Sequence, residues 1–243
     1  YEMYNVYFKA LKIKCIKAKY LLNLNEKNIF KFDKNFFLKK ISQVDIIFLT
    51  NPNQISNNDF SISEIKKLCT KYPKKKFFID ESYFGFGSFS FLSLTNKHKN
   101  IFVMRSITKT FGLASARIGF LISNKESIKS YKALETPYPI SLFSGKCLNF
   151  FLKNKKLFSN YNLEVKAGRE FFCKELIKKG YKVHNSNGLS VFLYFKNKKE
   201  LKNKHKFLEK KFIYTRAMQI NKKSFLRVTS GPIKLMKKVL KFL

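Results

Sequence analysis

The chain has 243 residues, 45% of them hydrophobic and 28 of them phenylalanine, so it carries enough apolar side chains for a core and is not a disordered chain. Its 50 Lys and Arg against 15 Asp and Glu give a net charge of +35. That charge is typical of a protein that binds nucleic acid, or of a compositional bias toward lysine on solvated faces. The lysines occur along nearly every segment, without a zinc-finger spacing, basic zipper or RNA-binding aromatic signature, which favours the bias.

The cysteines and histidines argue against a disulfide framework and a metal site. The cysteines lie far apart in the sequence and form no CxxC pair, which indicates free thiols in a reducing compartment such as the cytoplasm. The histidines have no metal-ligand spacing, so we predict surface or loop positions for them and no metal. These residues are Cys15, Cys69, Cys147, Cys173, His98, His184 and His205. No apolar run reaches the ~18 residues of a transmembrane helix.

The first half of the chain alternates apolar runs with a helical pattern. Nearly continuous apolar runs predict buried parallel strands over residues 45–50, 76–80, 101–106 and 118–123. A helix is predicted over residues 61–72, with Ser61 as its N-cap and Glu64 at the capping-box position. Strands that alternate with helices indicate an α/β sheet.

The pattern breaks at Glu135-Thr136-Pro137-Tyr138-Pro139, where two prolines exclude a continuous helix. Helices are predicted over 141–157 and 160–179, then strands over 189–196, 213–216 and 225–229, with a helix between the first two of these strands. A last helix is predicted over 232–242. We therefore predict an α/β protein: a large domain with a mostly parallel sheet over residues 1–140, and a smaller α+β domain over 141–243.

Polar residues follow three of the predicted strands, over 51–54, 80–83 and 106–109. Ligands of open α/β sheets bind at the carboxyl ends of the strands, so these residues are candidates for one crevice. An aspartate that ends an apolar strand, as Asp80 does, must be compensated after desolvation. A cation or a set of loop amides could do this, and the sequence leaves both open.

Taken together, several segments resemble the fold-type I aminotransferases of class I and II, closest to the histidinol-phosphate aminotransferase subgroup. The segments that carry the resemblance are Tyr1-Glu2-Met3-Tyr4, Asn51-Pro52-Asn53-Gln54, Asp80-Glu81-Ser82-Tyr83, the run from Ser106 to Phe120, Pro137-Tyr138-Pro139 and Leu226-Arg227-Val228-Thr229. Their order and spacing, with Lys109 eight residues before Arg117, make the combination specific where each piece alone is weak.

The resemblance implies pyridoxal 5'-phosphate as the cofactor and Lys109 as the lysine that forms the Schiff base with it. Asp80 would pair with the protonated pyridine nitrogen, which keeps the ring an electron sink. Tyr83 and Gln54 would reach the ring hydroxyl, although the family has asparagine at the position of Gln54. Tyr1 would stack on the pyridine face.

Five further polar residues have implied roles in binding phosphate or substrate. Ser106, Thr108 and Arg117 would hold the cofactor phosphate, since two hydroxyls and a guanidinium suit a dianion. Arg227 would bind the α-carboxylate of the substrate. Arg216 stands where the subgroup has an arginine for the distal phosphate of the substrate, and an exposed structural arginine is an equal alternative.

The resemblance implies amino-group transfer between an amino acid or amino-phosphate and a 2-oxo acid. It also implies a homodimer that binds small-molecule substrates and neither nucleic acid nor a membrane. It covers the C-terminal two-thirds of such an enzyme, so we expect an N-terminal arm upstream of Tyr1. Two alternatives stay open. One is a decarboxylase of amino-acid phosphates on the same scaffold. The other is a basic nucleic-acid-binding protein with a decayed enzyme core, which predicts lysines on one face and no cofactor.

Overall fold

The fold is that of a computed structural model, which describes residues 2–56, 59–86, 89–110, 112–186 and 188–243. Within these ranges the strands form one hairpin and two four-stranded sheets. The helices α1 to α10 are Glu2–Ala10, Lys34–Lys40, Ile62–Lys71, Leu92–Thr95, Ile107–Thr110, Lys125–Lys132, Leu142–Lys153, Lys155–Lys178, Lys198–Lys210 and Ile233–Leu240. The strands β1 to β10 are Tyr20–Leu22, Phe30–Phe32, Ile46–Thr50, Lys76–Asp80, Ile101–Ser106, Gly119–Ile122, Val183–Asn185, Ser190–Phe195, Arg216–Ile220 and Lys223–Thr229. None of the described helices is long and apolar enough to cross a membrane.

The first sheet has the strand order β3-β4-β5-β6. Strands β3, β4 and β5 are parallel, and β6 runs antiparallel to β5. One face packs Ile47, Phe77, Ile79 and Val103 into a core that α3 covers with Ile65. The predicted α/β class with a mostly parallel sheet is therefore confirmed, as are the parallel strands predicted over 45–50, 76–80 and 101–106. The prediction of a buried parallel strand over 118–123 is wrong in its direction and burial, because β6 runs antiparallel to β5 and Gly119 and Phe120 are exposed.

The capping box predicted for α3 is present. Glu64 donates its backbone N–H to Ser61 Oγ at 3.2 Å, and the Glu64 carboxylate accepts the Ser61 N–H at 2.7 Å. Loss of such a cap costs about 1 kcal/mol of stability. Because the cap fixes where α3 begins, it also fixes which side of the helix meets the sheet.

The opposite face of the first sheet carries a row of stacked rings. Phe48, Phe78 and Phe102 occupy matched positions on adjacent strands. Their neighbouring ring centroids lie 5.0 and 4.8 Å apart, with the rings inclined by 12° and 15°. Tyr131 of α6 stands edge-on over the last two rings, and Tyr4 of α1 packs at 5.3 Å from Phe48. Two helices that the sequence pattern did not predict thus cover this face.

The second sheet is antiparallel throughout, with the order β7-β8-β10-β9. It packs Leu193 and Leu226 against Phe172 of α8 and Leu208 of α9. The helices predicted over 141–157, 160–179 and 232–242 have counterparts in α7, α8 and α10, and the strands predicted over 189–196 and 225–229 have counterparts in β8 and β10. The helix predicted between the strands over 189–196 and 213–216 is α9.

The predicted strand over residues 213–216 is wrong. Phe212 has a positive φ of 56°, Tyr214 is 76% exposed, and the strand at this place is β9, which begins at Arg216. Strands β9 and β10 are joined through Asn221 and Lys222, which both have positive φ, as a two-residue type I′ hairpin turn requires. Residues 216–220 pair with β10, whereas residues 213–215 pair with no strand in the part of the chain that the structure describes.

The predicted break between the two halves is present. Helix α6 ends at Lys132 and α7 begins at Leu142, with Tyr138 91% exposed between them. Helix α7, however, packs Leu148 against Ile107 and Ile118 of the first half. The division into domains at residues 140 and 141 therefore stays a prediction.

Candidate active site

The three polar segments lie side by side at the carboxyl ends of β3, β4 and β5. Thr50 is in register with Asp80, and Asp80 is in register with Met104. Beyond the strands, Asn51 N donates to Asp80 O at 2.8 Å and Glu81 N donates to Met104 O at 2.7 Å. The residues that follow these strands therefore share one edge of the sheet, as the sequence predicted.

Asp80 is half-buried at this edge. Its carboxylate accepts the Ser82 N–H at 2.9 Å and the hydroxyl hydrogen of Tyr4. One loop amide and one hydroxyl thus compensate part of its charge, and none of the salt bridges between described residues includes Asp80. Tyr83 lies in the same turn and is also half-buried.

A buried ion pair next to Asp80 was not foreseen from the sequence. The Glu81 side chain is fully buried, and its carboxylate accepts Arg105 Nε at 3.1 Å and Arg105 Nη2 at 3.0 Å. The same carboxylate also accepts hydrogen bonds from Ser90 Oγ and from Phe91 N, each at 2.7 Å. Arg105 lies over the ring of Phe84 at 3.9 Å. Glu81 directly follows Asp80 at the end of β4, and Arg105 directly precedes Ser106 at the end of β5. The ion pair between Glu81 and Arg105 therefore fixes the two strand ends that carry these predicted site residues.

The predicted phosphate-binding hydroxyls converge. Ser106 Oγ and Thr108 Oγ1 are 2.7 Å apart, and Thr108 N donates to Ser106 Oγ at 3.2 Å. Lys109 follows in the short helix α5 and is exposed. Arg117 is exposed in a left-handed backbone conformation with φ of 48°, two residues before Gly119, which pairs with Ser106. Hydroxyls, lysine and arginine are therefore gathered around the end of β5.

Gln54 meets the predicted substrate arginine. Arg227 Nη1 donates to Gln54 Oε1 at 3.2 Å, so the loop after β3 contacts strand β10 of the second sheet. Arg216 of β9 lies directly opposite Arg227 in the antiparallel register. Arg227 is half-buried and Arg216 is exposed. The two predicted substrate arginines are thus cross-strand neighbours on one face of the sheet. Tyr1, the predicted stacking residue, lies outside the described residues.

His184 corrects a sequence prediction, because it is 0% exposed rather than on the surface. It lies in β7, packs edge-on against Phe30 at 4.9 Å, and donates Nε2–H to the carbonyl of Ile55. Burial lowers its pKa to about 4, an effect that the hydrogen bond to Ile55 partly opposes. The neutral imidazole therefore ties β7 to the loop that carries Gln54.

A second buried cluster surrounds the hydroxyl of Tyr20 beside the same loop. Asn53 Nδ2 donates to Tyr20 Oη at 2.7 Å. Burial, the charge of Asp59 and a hydrogen bond to Asp59 raise the pKa of Tyr20. Burial raises the pKa of Asp59 to about 6, although Ser56, Lys34 and Tyr20 act in the opposite direction. The loop after β3 is thus held from the hairpin side as well.

Comparison with known proteins identifies the fold and the family. The family model for aminotransferases of class I and II matches residues 1–243. The chain belongs to this family. It is 31% identical over 246 residues to a histidinol-phosphate aminotransferase of Buchnera aphidicola subsp. Cinara cedri, covering 96% of the chain and 66% of that protein. The chain thus spans less than two thirds of the length of that relative. The resemblance inferred from the motifs is confirmed.

Two solved structures share the fold. The histidinol-phosphate aminotransferase from Clostridium acetobutylicum superposes with a TM-score of 0.85 at 24% identity, covering 100% of the chain and 74% of that protein. The enzyme of the same name from Sinorhizobium meliloti, solved in complex with pyridoxal-5'-phosphate, gives 0.81 at 14% identity, with 99% and 67% covered.

Proposed function

We propose that this protein is a pyridoxal-phosphate-dependent aminotransferase, which moves an amino group between an amino acid or amino-phosphate and a 2-oxo acid, with Lys109 bonded covalently to the cofactor. The observation that carries the proposal is the register of β4 and β5, which places Asp80 opposite Met104, two residues before Ser106. The hydroxyl of Ser106 lies against that of Thr108, which directly precedes Lys109 in the chain. Membership of the aminotransferase class I and II family supports the same chemistry.

The donors and acceptors at this edge of the sheet fit pyridoxal phosphate. The carboxylate of Asp80 suits an aromatic N–H, and it keeps acceptor capacity beside the bonds from Ser82 and Tyr4. The paired hydroxyls of Ser106 and Thr108 suit a phosphate monoester. When bound, the cofactor supplies an electron-withdrawing ring that accepts the electron pair released at the substrate Cα.

The remaining chemistry is done by side chains of the chain itself. Asp80 keeps the proton on the ring nitrogen, because its negative charge stabilises the positive one. Lys109 Nζ, freed from the cofactor when the substrate amine takes its place, would accept the proton released at the substrate Cα and deliver it to the carbon that gains it. Tyr83 hydrogen-bonds the ring hydroxyl. Arg227 binds the α-carboxylate in a bidentate manner, held in orientation by Gln54.

We infer further that the protein acts as a homodimer in the cytoplasm, on small molecules and without nucleic acid. An apolar segment that is exposed in the single chain supports the dimer: Leu134, Tyr138, Leu142 and Phe143 are all largely accessible. Several large apolar side chains exposed in one short segment are typical of an interaction surface. Sedimentation analysis of the wild type and of Leu142→Ser tests this, and unchanged monomer behaviour in both would contradict it.

The covalent role of Lys109 is tested by borohydride trapping. The wild type should take up pyridoxal phosphate, and reduction should leave the label on the peptide that contains Lys109. Lys109→Ala should lose the label and all turnover, because the nucleophilic amine is gone. The matched control is Lys125→Ala, which removes another exposed lysine and should keep both. Label on a different lysine, or labelling of Lys109→Ala, would disprove the assignment.

The reaction type is tested by product analysis. The names of the relatives suggest histidinol phosphate as the first amino donor to assay, with 2-oxoglutarate as a simple 2-oxo acid acceptor. Formation of glutamate in proportion to the lost amine is the expected result. Release of carbon dioxide from an amino-acid phosphate, without glutamate, would identify a decarboxylase instead. Tight binding of labelled DNA or RNA by a preparation that takes up no cofactor would support the nucleic-acid-binding alternative.

A further inference from the structure

A buried arginine lies between the two halves of the proposed site. Arg169 of α8 is only 4% exposed. Its Nη1 donates to the carbonyl oxygen of Phe86 at 3.2 Å and to that of Gly188. Its Nε has no hydrogen-bond partner within the described part of the chain. Burial lowers the pKa of Arg169, but a guanidinium keeps its proton in proteins.

This cation is compensated by carbonyl dipoles and not by an ion pair. None of the salt bridges between described residues includes Arg169, and the neighbouring Glu170 is exposed. A buried charge without a counter-ion is costly to fold. Apolar side chains, such as Phe172 and Leu176 one and two turns further along α8, would fill such a position without that cost. The guanidinium therefore needs an explanation other than packing.

The two carbonyl oxygens belong to segments that carry proposed site residues. Phe86 ends the turn that follows β4, which contains Asp80 and Tyr83. Gly188 lies directly against the loop after β3, since a Cβ at Gly188 would come within 3.1 Å of Gln54 Cα. The Arg169 side chain thus contacts both the turn that follows Asp80 and the backbone of Gly188, which packs against Gln54.

Helix α8 itself is fixed at this point. A Cβ at Gly168 would lie 1.9 Å from the carbonyl oxygen of Gly231, so only glycine permits this approach. Gly231 follows β10, the strand that carries Arg227. The backbone next to Arg169 is therefore held by the segment that follows the strand of the proposed substrate arginine, Arg227.

We propose that Arg169 is a positioning residue, which sets the separation between the Asp80–Phe86 turn and the Gln54–Arg227 contact without touching cofactor or substrate. The expected effect on cofactor and substrate binding rests on the proposed function. The coupling of the two segments rests on the contacts of Arg169 alone. A planar guanidinium with several fixed donors can hold two carbonyl oxygens at a defined spacing, which a flexible ammonium does less well.

The test compares Arg169→Gln and Arg169→Lys with Phe172→Leu. Phe172 lies on the same helix, is fully buried and packs into the core of the second sheet, so its replacement lowers stability without touching either turn. Three quantities are measured at matched loss of thermal midpoint. They are the dissociation constant for pyridoxal phosphate, the KM for the amino donor, and the hydrogen–deuterium exchange of peptides over 80–86 and 188–195.

In Arg169→Gln the backbone amides of both peptides should exchange faster. The dissociation constant for pyridoxal phosphate and the KM for the amino donor should each rise on the order of tenfold, because small displacements of positioned groups weaken binding steeply. Arg169→Lys should restore part of each effect. Phe172→Leu should change none of the three. Equal effects in Arg169→Gln and Phe172→Leu would overturn the proposal and leave Arg169 a stability residue.

The outcome for Arg169 can be separated from the outcome for the proposed function. If the wild type binds no pyridoxal phosphate, the proposed function fails, and the exchange data alone decide on Arg169. Faster exchange of both peptides in Arg169→Gln but not in Phe172→Leu would still support the coupling of the two segments. Faster exchange of one peptide, or of neither, would refute it.

Discussion

Acidification should remove a contribution to the stability of this protein that depends on the neutral state of His184. The imidazole is completely buried, its Nε2–H is used by Ile55, and its Nδ1 has no partner within the described residues. A second proton on Nδ1 would create a buried positive charge without an acceptor. The folded state therefore resists protonation of His184 more strongly than the unfolded state does.

The size of the effect follows from the shift. Burial lowers the pKa of His184 from 6.5 to about 4, and one pKa unit corresponds to about 1.4 kcal/mol. Because the pKa of the folded state is the lower one, the stability from neutral His184 is complete above pH 6.5 and is lost as the pH falls toward 4. The loss approaches about 3 kcal/mol, which is a large part of the stability of a typical domain.

Asp59 should act in the opposite direction over nearly the same range. Burial raises its pKa from 3.8 to about 6, so the folded state prefers the protonated carboxyl. The contribution of Asp59 is therefore complete below pH 3.8 and is lost as the pH rises through 6. In the wild type the contributions of His184 and Asp59 should therefore largely offset each other between about pH 4 and 6.5.

Single substitutions should separate the two effects. Urea unfolding is measured from pH 4 to 7.5 for the wild type, His184→Phe and Asp59→Asn. His184→Phe keeps an aromatic ring but leaves the Ile55 carbonyl unpaired, which costs about 1–3 kcal/mol at neutral pH, and this deficit should shrink on acidification. Asp59→Asn should gain stability relative to the wild type above pH 6. Curves parallel to the wild type for both variants would refute the reasoning.

Three further outcomes are expected. Glu81→Ala should lower the free energy of unfolding by about 3–5 kcal/mol in urea titrations, because it leaves Arg105 without its buried partner; a loss below about 1 kcal/mol would contradict this. Asp80→Asn should lower the turnover rate, because it loses roughly 2–4 kcal/mol of transition-state stabilisation. Near-normal rates in this variant would exclude the role of Asp80 at the ring nitrogen. Arg216→Ala should raise KM for a phosphorylated substrate about ten- to a hundredfold while sparing an unphosphorylated one, and equal changes would make Arg216 structural.

The sheet elements could be predicted because burial on both faces leaves a clear mark in the sequence. Strands β4 and β5 are nearly continuous apolar runs, and their inner residues Phe77 and Val103 are fully buried. Helix α3 could be placed by its cap, Ser61 with Glu64. The first forty residues gave no such signal, since β1 and β2 have three residues each and short elements carry no measurable periodicity.

The candidate site could be predicted as a set of segments but not as a set of contacts. The motif residues lie at the strand ends that the sequence indicated. The contact of Glu81 with Arg105 and that of His184 with Phe30 join residues far apart in the chain, and no local pattern reports them. His184 was placed on the surface because an isolated histidine carries no sign of its neighbours. The apolar partner that buries it, Phe30, comes from a hairpin more than a hundred residues away.

The pairing of Arg216 with Arg227 across β9 and β10 limits the kind of substrate that the two arginines could bind together. Opposed residues in an antiparallel pair have Cα atoms about 4.5–5.5 Å apart and side chains on one face, so the arginines start from nearly the same point. Two like charges this close are unfavourable unless an anion or their own divergence separates them. Gln54 draws Arg227 toward the loop after β3, while Arg216 stays accessible to solvent. A substrate with a carboxylate near Gln54 and a second anionic group toward solvent would satisfy both, which is the arrangement that Arg216→Ala tests.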